Sequence, residues 1–305
     1  MPGDADGIAF AVDERIRFQG RARNAMEKSA QMYENFLKEY RSDDAINRYT
    51  TATAGYGISH LLEHDYAAVY LQVVNSELRT QPRRPLRLLE FGCGGGMNII
   101  HLVSLLVRRG MQVDSAVGTD FSSRLIEAAQ QEAKNLLAPE LAQKVNFCVA
   151  RNESLLHDMA LVGGVPVDDL LNSFDVIIGV NTFRYCHRLK NEKDCAADLH
   201  RLLRPGGVCV MIDMNNKFPA FRSRLKGRLK GLDPDEVECY LPTLGEYASP
   251  FECTGFEILR KDNFCWVPHS AGRALTRCCL SLSPLLNIVA RSRAMRSLVV
   301  ARKPV

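Results

Sequence analysis

The sequence has 305 residues, of which 46% are hydrophobic and 24% are charged, a balance typical of a globular domain with a sizeable core. The net charge of +4 is small for this length and argues against a nucleic-acid partner. No stretch reaches the roughly 20 uninterrupted apolar residues of a membrane span, and the N-terminus lacks the pattern of a secretory leader. We therefore expect a cytoplasmic protein.

Helical periodicity dominates the first part of the chain. Apolar side chains of 22–40 fall near one stripe, and a second helical pattern runs through 58–78. Two prolines, Pro82 and Pro85, interrupt the pattern, because proline cannot continue a helix. These features predict an N-terminal helical cap over residues 1–80.

From residue 86 onward, short β-rich runs alternate with helical stretches. The predicted strands are 86–91, 113–120, 145–150, 174–180, 208–214, 256–267 and 297–304. Such alternation is typical of crossover units in a parallel sheet. We predict an α/β fold over residues 81–305: a doubly wound, mostly parallel seven-stranded sheet with helices on both faces. Insertions at about 215–245 and 268–294 are predicted to add to the helical cap.

The ten cysteines are scattered, and none forms a C-x-x-C pair. Zinc ligands usually come in such pairs, so we expect no metal site and interpret the cysteines as buried free thiols. His60 and His64 lie one helical turn apart, but no third ligand accompanies them. We interpret both as solvent-facing or hydrogen-bonded side chains.

Four glycines stand within five positions between the first strand and the next helix, in the stretch "LLEFGCGGGMN". In an open α/β sheet, ligands bind beyond the carboxyl ends of the strands, where a backbone-lined turn lets them approach closely. A dinucleotide site requires G-x-G-x-x-G, but Met97 occupies the third position, and no P-loop lysine follows. A nicotinamide-dependent oxidoreductase remains the alternative.

The ordered motifs resemble those of class I S-adenosylmethionine-dependent methyltransferases. "LLEFGCGGG" resembles the first motif, "AVGTDFSS" the second, "FDVIIGVNTFRY" the fourth-strand motif and "LHRLLRPGGVCVMID" the approach to the fifth strand. Together they cover about residues 86–214. The resemblance implies S-adenosylmethionine as cofactor and methyl transfer by in-line displacement at the sulfonium methyl. A non-catalytic homologue that keeps the pocket remains a second alternative.

The resemblance assigns cofactor-binding roles to particular residues. Asp120 would hold the ribose hydroxyls, Phe121 would cover the adenine, and Glu90 would lie near the amino-acid end. The remaining contacts are predicted from the turn residues Gly92, Cys93, Gly94 and Gly96 and from Asn152, Asn181 and Tyr56. Asp120 could instead cap the following helix, Glu90 could pair with an arginine, and Asn181 could simply be a turn residue.

One position departs from the family pattern. Arg151 stands where many members carry an acidic residue that reads the adenine amine. Asn152 or a backbone amide could replace that contact.

The methyl acceptor is predicted from the segments outside the sheet. The stretch 217–231 is basic and amphipathic and contains no acid, and from it we single out Phe221, Arg224 and Arg228 as substrate contacts. A solvated face over a cap core is the alternative. We expect a small-molecule or lipid-like acceptor, hydrophobic or anionic, of natural-product, lipid or sugar type. A peripheral membrane contact and a homo-oligomer are left open.

A proton acceptor is required only if the methyl acceptor must lose a proton. His187 is the first candidate and Tyr185 the second, because both follow the fourth strand. The stretch "NTFR" lacks the signature of nucleic-acid amino methyltransferases, which argues against a nucleic-acid substrate.

Overall fold

A seven-stranded sheet forms the centre of the computed structural model, which describes residues 55–78, 84–219 and 241–305. The strand order is β3-β2-β1-β4-β5-β7-β6, and only β7 runs antiparallel to its neighbours. The strands are β1 Leu86–Phe91, β2 Val113–Asp120, β3 Val145–Val149, β4 Phe174–Val180, β5 Leu203–Met214, β6 Glu257–Phe264 and β7 Arg296–Arg302. The predicted fold class is confirmed.

Helices precede the sheet and fill the connections between its strands, and those between the parallel strands follow the alternating pattern. They are α1 (56–77), α2 Met97–Arg108, α3 Ser123–Leu136, α4 Pro139–Ala142, α5 Leu155–Gly163, α6 Val167–Leu170, α7 Phe183–Leu189, α8 Glu192–Leu202, α9 Leu244–Cys253 and α10 Arg273–Val289. Single 3₁₀ turns occupy Asn152–Ser154 and Arg291–Arg293. None of these helices is long and apolar enough to cross a membrane.

Two hydrophobic clusters cover the two faces of the sheet. Side chains alternate along each strand, so Leu88 and Ile178 join the cluster beneath α1 and α2, while Leu89 and Ile177 join the one beneath α5, α8 and α9. All four are fully buried. This two-sided burial explains why β1 and β4 are nearly continuous apolar runs rather than alternating ones.

The segment α1 contains both α-helical and π-helical turns and packs into the first of these clusters. Leu61, Tyr66 and Tyr70 are almost completely buried there together with the strand residues. The predicted helix over 22–40 lies outside the described residues, as do 220–231 with Phe221, Arg224 and Arg228.

Two sequence expectations differ from the structure. The fifth strand begins at Leu203 rather than at Val208, because Leu203 pairs with Phe174 of β4 and the stretch "RPGG" forms an irregularity before the pairing resumes at Val208. All nine cysteines among the described residues are free, but Cys253 and Cys278 are exposed, so the expectation of buried thiols is wrong for these two.

Candidate active site

The glycine turn joins β1 to α2 at the carboxyl edge of the sheet. Gly92 and Gly96 have φ of 60° and 79°, in the left-handed region that disfavours side chains. A Cβ on Gly92 would also collide with the side chain of Thr182, and one on Gly96 would lie 2.9 Å from the ring of Phe147. Gly96 is the N-cap of α2 and makes no side-chain cap, so backbone groups of the first turn face this edge.

Glu90 lies at the end of β1 and is fully buried. Its Oε2 accepts a hydrogen bond from the amide of Ile99 at 2.8 Å, and its Oε1 accepts one from Asn98 Nδ2 at 3.1 Å. Burial raises the pKa of Glu90 to about 8, although both hydrogen bonds oppose the shift. Glu90 therefore anchors the first turn of α2. Among the described residues it pairs with no arginine.

Asp120 ends β2 and bridges two loops at the same edge. Its Oδ2 accepts a hydrogen bond from the amide of Gly94 at 3.0 Å, and its Oδ1 accepts one from the amide of Ser122 at 2.9 Å. Ser122, not Asp120, is the side-chain cap of α3, through the amide of Leu125. Burial raises the pKa of Asp120 to about 6 against these backbone hydrogen bonds. The cap interpretation of Asp120 is thus wrong.

The loop after β3 reaches the loop after β4 across the carboxyl edge of the sheet. Asn152 Nδ2 donates to Thr182 Oγ1 at 3.0 Å. The guanidinium of Arg151 forms an ion pair with Asp158 on α5, with Nε 3.0 Å from Oδ2. This ion pair compensates the positive charge of Arg151. Phe121 is half-buried directly after Asp120, next to Ser122. The structure therefore brings Asn152 to the same edge as Asp120 and the glycine turn.

Asn181 follows β4 with a φ of 57°, so it is a turn residue, but its side chain is also engaged. Arg296 Nη1 donates to Asn181 Oδ1, and Nη2 of the same guanidinium contacts the ring of His269. Arg296 is only 2% exposed. Burial, with Arg296 and Arg184 nearby, holds the pKa of His269 well below its usual value, so this imidazole is neutral.

A buried ion pair lies beside this cluster. Arg184 donates to both oxygens of Asp213, through Nη1 at 2.9 Å and through its backbone amide at 2.9 Å. Its Nη2 donates to the hydroxyl of Tyr185 at 2.8 Å, and the guanidinium lies 4.4 Å from the ring centroid of Tyr185. His187 is placed differently, with its Nδ1 3.9 Å from Glu192.

Tyr56 begins α1 and is 42% exposed. The guanidinium of Arg273, on α10, lies 5.5 Å from the centroid of its ring. Among the described residues, no three metal-ligating side chains come together.

Sequence reasoning missed four residues of this edge: Arg184, Asp213, His269 and Arg296. The motif "VNTFRY" contains Arg184, yet nothing in the sequence pairs it with Asp213, 29 positions further on. His269 and Arg296 follow the matched motifs altogether. The contact of Arg296 with Asn181 depends on β7 lying next to β5.

The family described as "Methyltransferase domain" matches residues 83–239, which is more than half of the chain. The chain belongs to this methyltransferase family. The methyltransferase is 30% identical over 135 residues to the citrinin polyketide synthases of Monascus ruber and Monascus purpureus. That match spans 44% of this chain and 4% of each synthase, so it corresponds to a small part of those proteins.

Solved structures share the fold of the methyltransferase. The citrinin polyketide synthase CMeT domain superposes with a TM-score of 0.54 at 20% identity, covering 85% of this chain and 55% of that one. The CurJ carbon methyltransferase superposes with a TM-score of 0.52 at 16% identity, covering 86% and 58%. An S-adenosylmethionine-dependent methyltransferase from Mesorhizobium loti gives 0.51 at 18% identity, covering 79% and 99%.

The chain therefore carries an S-adenosylmethionine-dependent methyltransferase domain, and the oxidoreductase alternative is not supported. The residues at the edge suit this cofactor. A carboxylate can accept about four hydrogen bonds, so Asp120 retains capacity for a ribose hydroxyl beyond its backbone amide partners Gly94, Phe121 and Ser122. Burial raises the pKa of Glu90 to about 8, and a nearby ammonium or sulfonium of the cofactor would favour its charged form.

Proposed function

We propose that this methyltransferase methylates a carbon atom of a small acceptor that bears an anionic group, such as the enolate of a polyketide-like carbonyl compound. The sequence match to polyketide synthases supports this chemistry. The single observation that carries the proposal is the buried guanidinium of Arg296, which we consider first.

Among the described residues, Arg296 is a buried cation whose hydrogen-bond partners are neutral and which has no ion-pair partner. Its contacts are the amide oxygen of Asn181 and the neutral ring of His269, and its Nε is buried without a hydrogen-bond partner. Burying a charge without a counter-ion costs several kcal/mol, on the order of the penalty for a desolvated ion. An anionic acceptor bound at this edge would compensate that charge. We therefore assign Arg296 to the anionic oxygen of the acceptor.

Tyr185 is the better placed of the two predicted proton acceptors. Arg184 donates to its hydroxyl oxygen and stacks on its ring, so negative charge on that oxygen is stabilised. Asp213 holds Arg184 in place from the other side. His187 instead faces Glu192. In this proposal the phenolate form of Tyr185 takes the proton that the acceptor carbon loses and becomes the neutral phenol. The half-buried hydroxyl then releases that proton to solvent, which restores the phenolate.

The cofactor is assigned to the neighbouring half of the edge. Asp120 would hold the ribose, Phe121 and Asn152 would flank the adenine, and Glu90 with the glycine turn would position the amino-acid part. Tyr56 is assigned to closing over that part. When bound, S-adenosylmethionine supplies an electrophilic methyl group, and its sulfur keeps the electron pair of the bond that breaks. Alignment of the two reactants accounts for much of the barrier reduction.

The test uses isotopically methyl-labelled S-adenosylmethionine with a β-ketothioester, a phenol and an amine as separate acceptors. We expect label on carbon, retained after acid hydrolysis, from the β-ketothioester alone. Label on oxygen or nitrogen only would contradict the proposal. Arg296→Gln should lower turnover by about 10²-fold, the order of effect for losing one preorganised charged donor. Cofactor affinity measured by calorimetry should stay unchanged, which also shows that the variant is folded.

A further inference from the structure

Helix α10 (Arg273–Val289) turns its apolar side to solvent. Thr276 is its only fully buried residue. The exposed apolar side chains are Leu275, Leu280, Leu282, Leu285, Ile288 and Val289. Ile288 is 82% exposed and Leu285 59% exposed. Single exposed apolar residues are ordinary, but a set along one helix indicates a contact surface.

The apolar surface is wide. With 3.6 residues per turn, the side chains from Ile288 through Leu285 to Leu275 span an arc of roughly 140°. The opposite side, which includes Thr276, faces the protein near the first turn of α1. A two-helix seam uses a narrower stripe than this, so the arc suits a flat apolar medium better than a single partner helix.

The charge around this surface has one sign. From residue 263 to residue 305 the chain carries seven basic residues and no aspartate or glutamate. Arg273 and Arg277 lie in the first turns of α10, and Arg293 follows its end. Among the described residues, Arg277 and Arg293 have no ion-pair partner, whereas Arg291 pairs with Asp262. The apolar arc is thus bordered by cations at both ends.

This charge pattern argues against a second copy of the chain as the occupant. Parallel or antiparallel pairing of two α10 helices would place arginines against arginines, and the helix has no acid to offset them. A negatively charged surface is complementary instead. Basic amphipathic helices with an aliphatic face lie in the plane of a bilayer interface, and anionic lipids add roughly 1 kcal/mol per nearby cation.

We propose that α10 docks this methyltransferase on an anionic lipid bilayer, lying in the interface with Leu282, Leu285 and Ile288 among the acyl chains. The helix begins four residues after His269, which contacts Arg296. Docking would therefore bring the acceptor side of the candidate site close to the membrane. The proposal does not depend on which atom is methylated.

The test is co-sedimentation of the full chain with phosphatidylcholine vesicles, with and without phosphatidylglycerol. We expect binding only with phosphatidylglycerol and weakening with added salt. Leu285→Ser with Ile288→Ser should lower the affinity for these vesicles more than about 100-fold, because two large apolar side chains no longer enter the bilayer. The matched control is Leu161→Ser with Val162→Ser on α5, also exposed at 72% and 55%, which should bind like the wild type.

Three outcomes would overturn the proposal. Equal sedimentation with and without phosphatidylglycerol would remove the charge argument. Equal losses in the two double variants would remove the role of α10. A concentration-dependent dimer in analytical ultracentrifugation that is abolished by Leu285→Ser with Ile288→Ser would assign the surface to a second copy instead. Because no activity is measured, these results are independent of the acceptor.

Discussion

Two buried carboxylates at adjacent strand ends define the cofactor half of the site. Glu90 and Asp120 both have raised pKa values, about 8 and about 6, because burial disfavours their charged forms. Keeping such groups costs folding free energy, since the unfolded chain releases their protons at lower pH than the folded one. The free energy of unfolding should therefore fall as pH rises from 4.5 to about 8 for Glu90 and from 3.8 to about 6 for Asp120. A bound cation or ribose donor would offset this loss.

Asp120→Asn should weaken S-adenosylmethionine binding by about 10-fold to 100-fold, because hydrogen bonds to a charged group contribute about 1.5–3 kcal/mol. In the wild type, affinity should decrease as pH falls through about 6, where Asp120 becomes protonated. The variant should lose this pH dependence. Asp114→Asn, at the exposed opposite end of β2, is the control. Unchanged affinity in Asp120→Asn would remove the ribose role from this residue.

At the scale of the element, two steric constraints require glycine in the turn between β1 and α2: the backbone conformation and the close packing of neighbouring side chains. Gly92 and Gly96 adopt left-handed backbone conformations and also pack against Thr182 and Phe147. The contact between Gly92 and Thr182 ties the turn to the end of β4, where Asn181 and Arg296 meet. The part of the edge that we assign to the cofactor and the part that we assign to the acceptor are therefore packed against each other.

Gly92→Ala should be more destabilising than Gly110→Ala. Both positions have positive φ, but a Cβ at Gly110 meets nothing within 4 Å, whereas one at Gly92 collides with Thr182. We expect a loss of about 1 kcal/mol at Gly110 from backbone strain alone and of about 2–4 kcal/mol at Gly92. Chemical denaturation measures both. Equal losses of unfolding free energy in the two variants would mean that the Thr182 side chain moves away at no cost, and that its contact does not fix the turn against the end of β4.

At the scale of the whole molecule, local patterns predict the sheet, whereas the acceptor half of the site depends on contacts distant in sequence. Strand periodicity and the ordered motifs predict the parallel strands and place Gly94 and Asp120 together, because the carboxyl ends of parallel strands share an edge. Arg296 meets Asn181 across 115 positions, through the antiparallel insertion of β7 beside β5. No local period encodes that pairing. The sequence also does not predict that the apolar face of α10 is exposed to solvent, because periodicity alone does not say which side of a helix faces the core.

The most direct test of the account is a crystal structure of the protein with S-adenosylhomocysteine, the demethylated cofactor. We predict that the adenosine lies at the carboxyl edge, with both ribose hydroxyls within hydrogen-bond distance of Asp120 and the amino-acid part against the turn at Gly92–Gly96. The sulfur should point toward Asn181 and Tyr185. An adenosine bound elsewhere, or a ribose that does not contact Asp120, would contradict it.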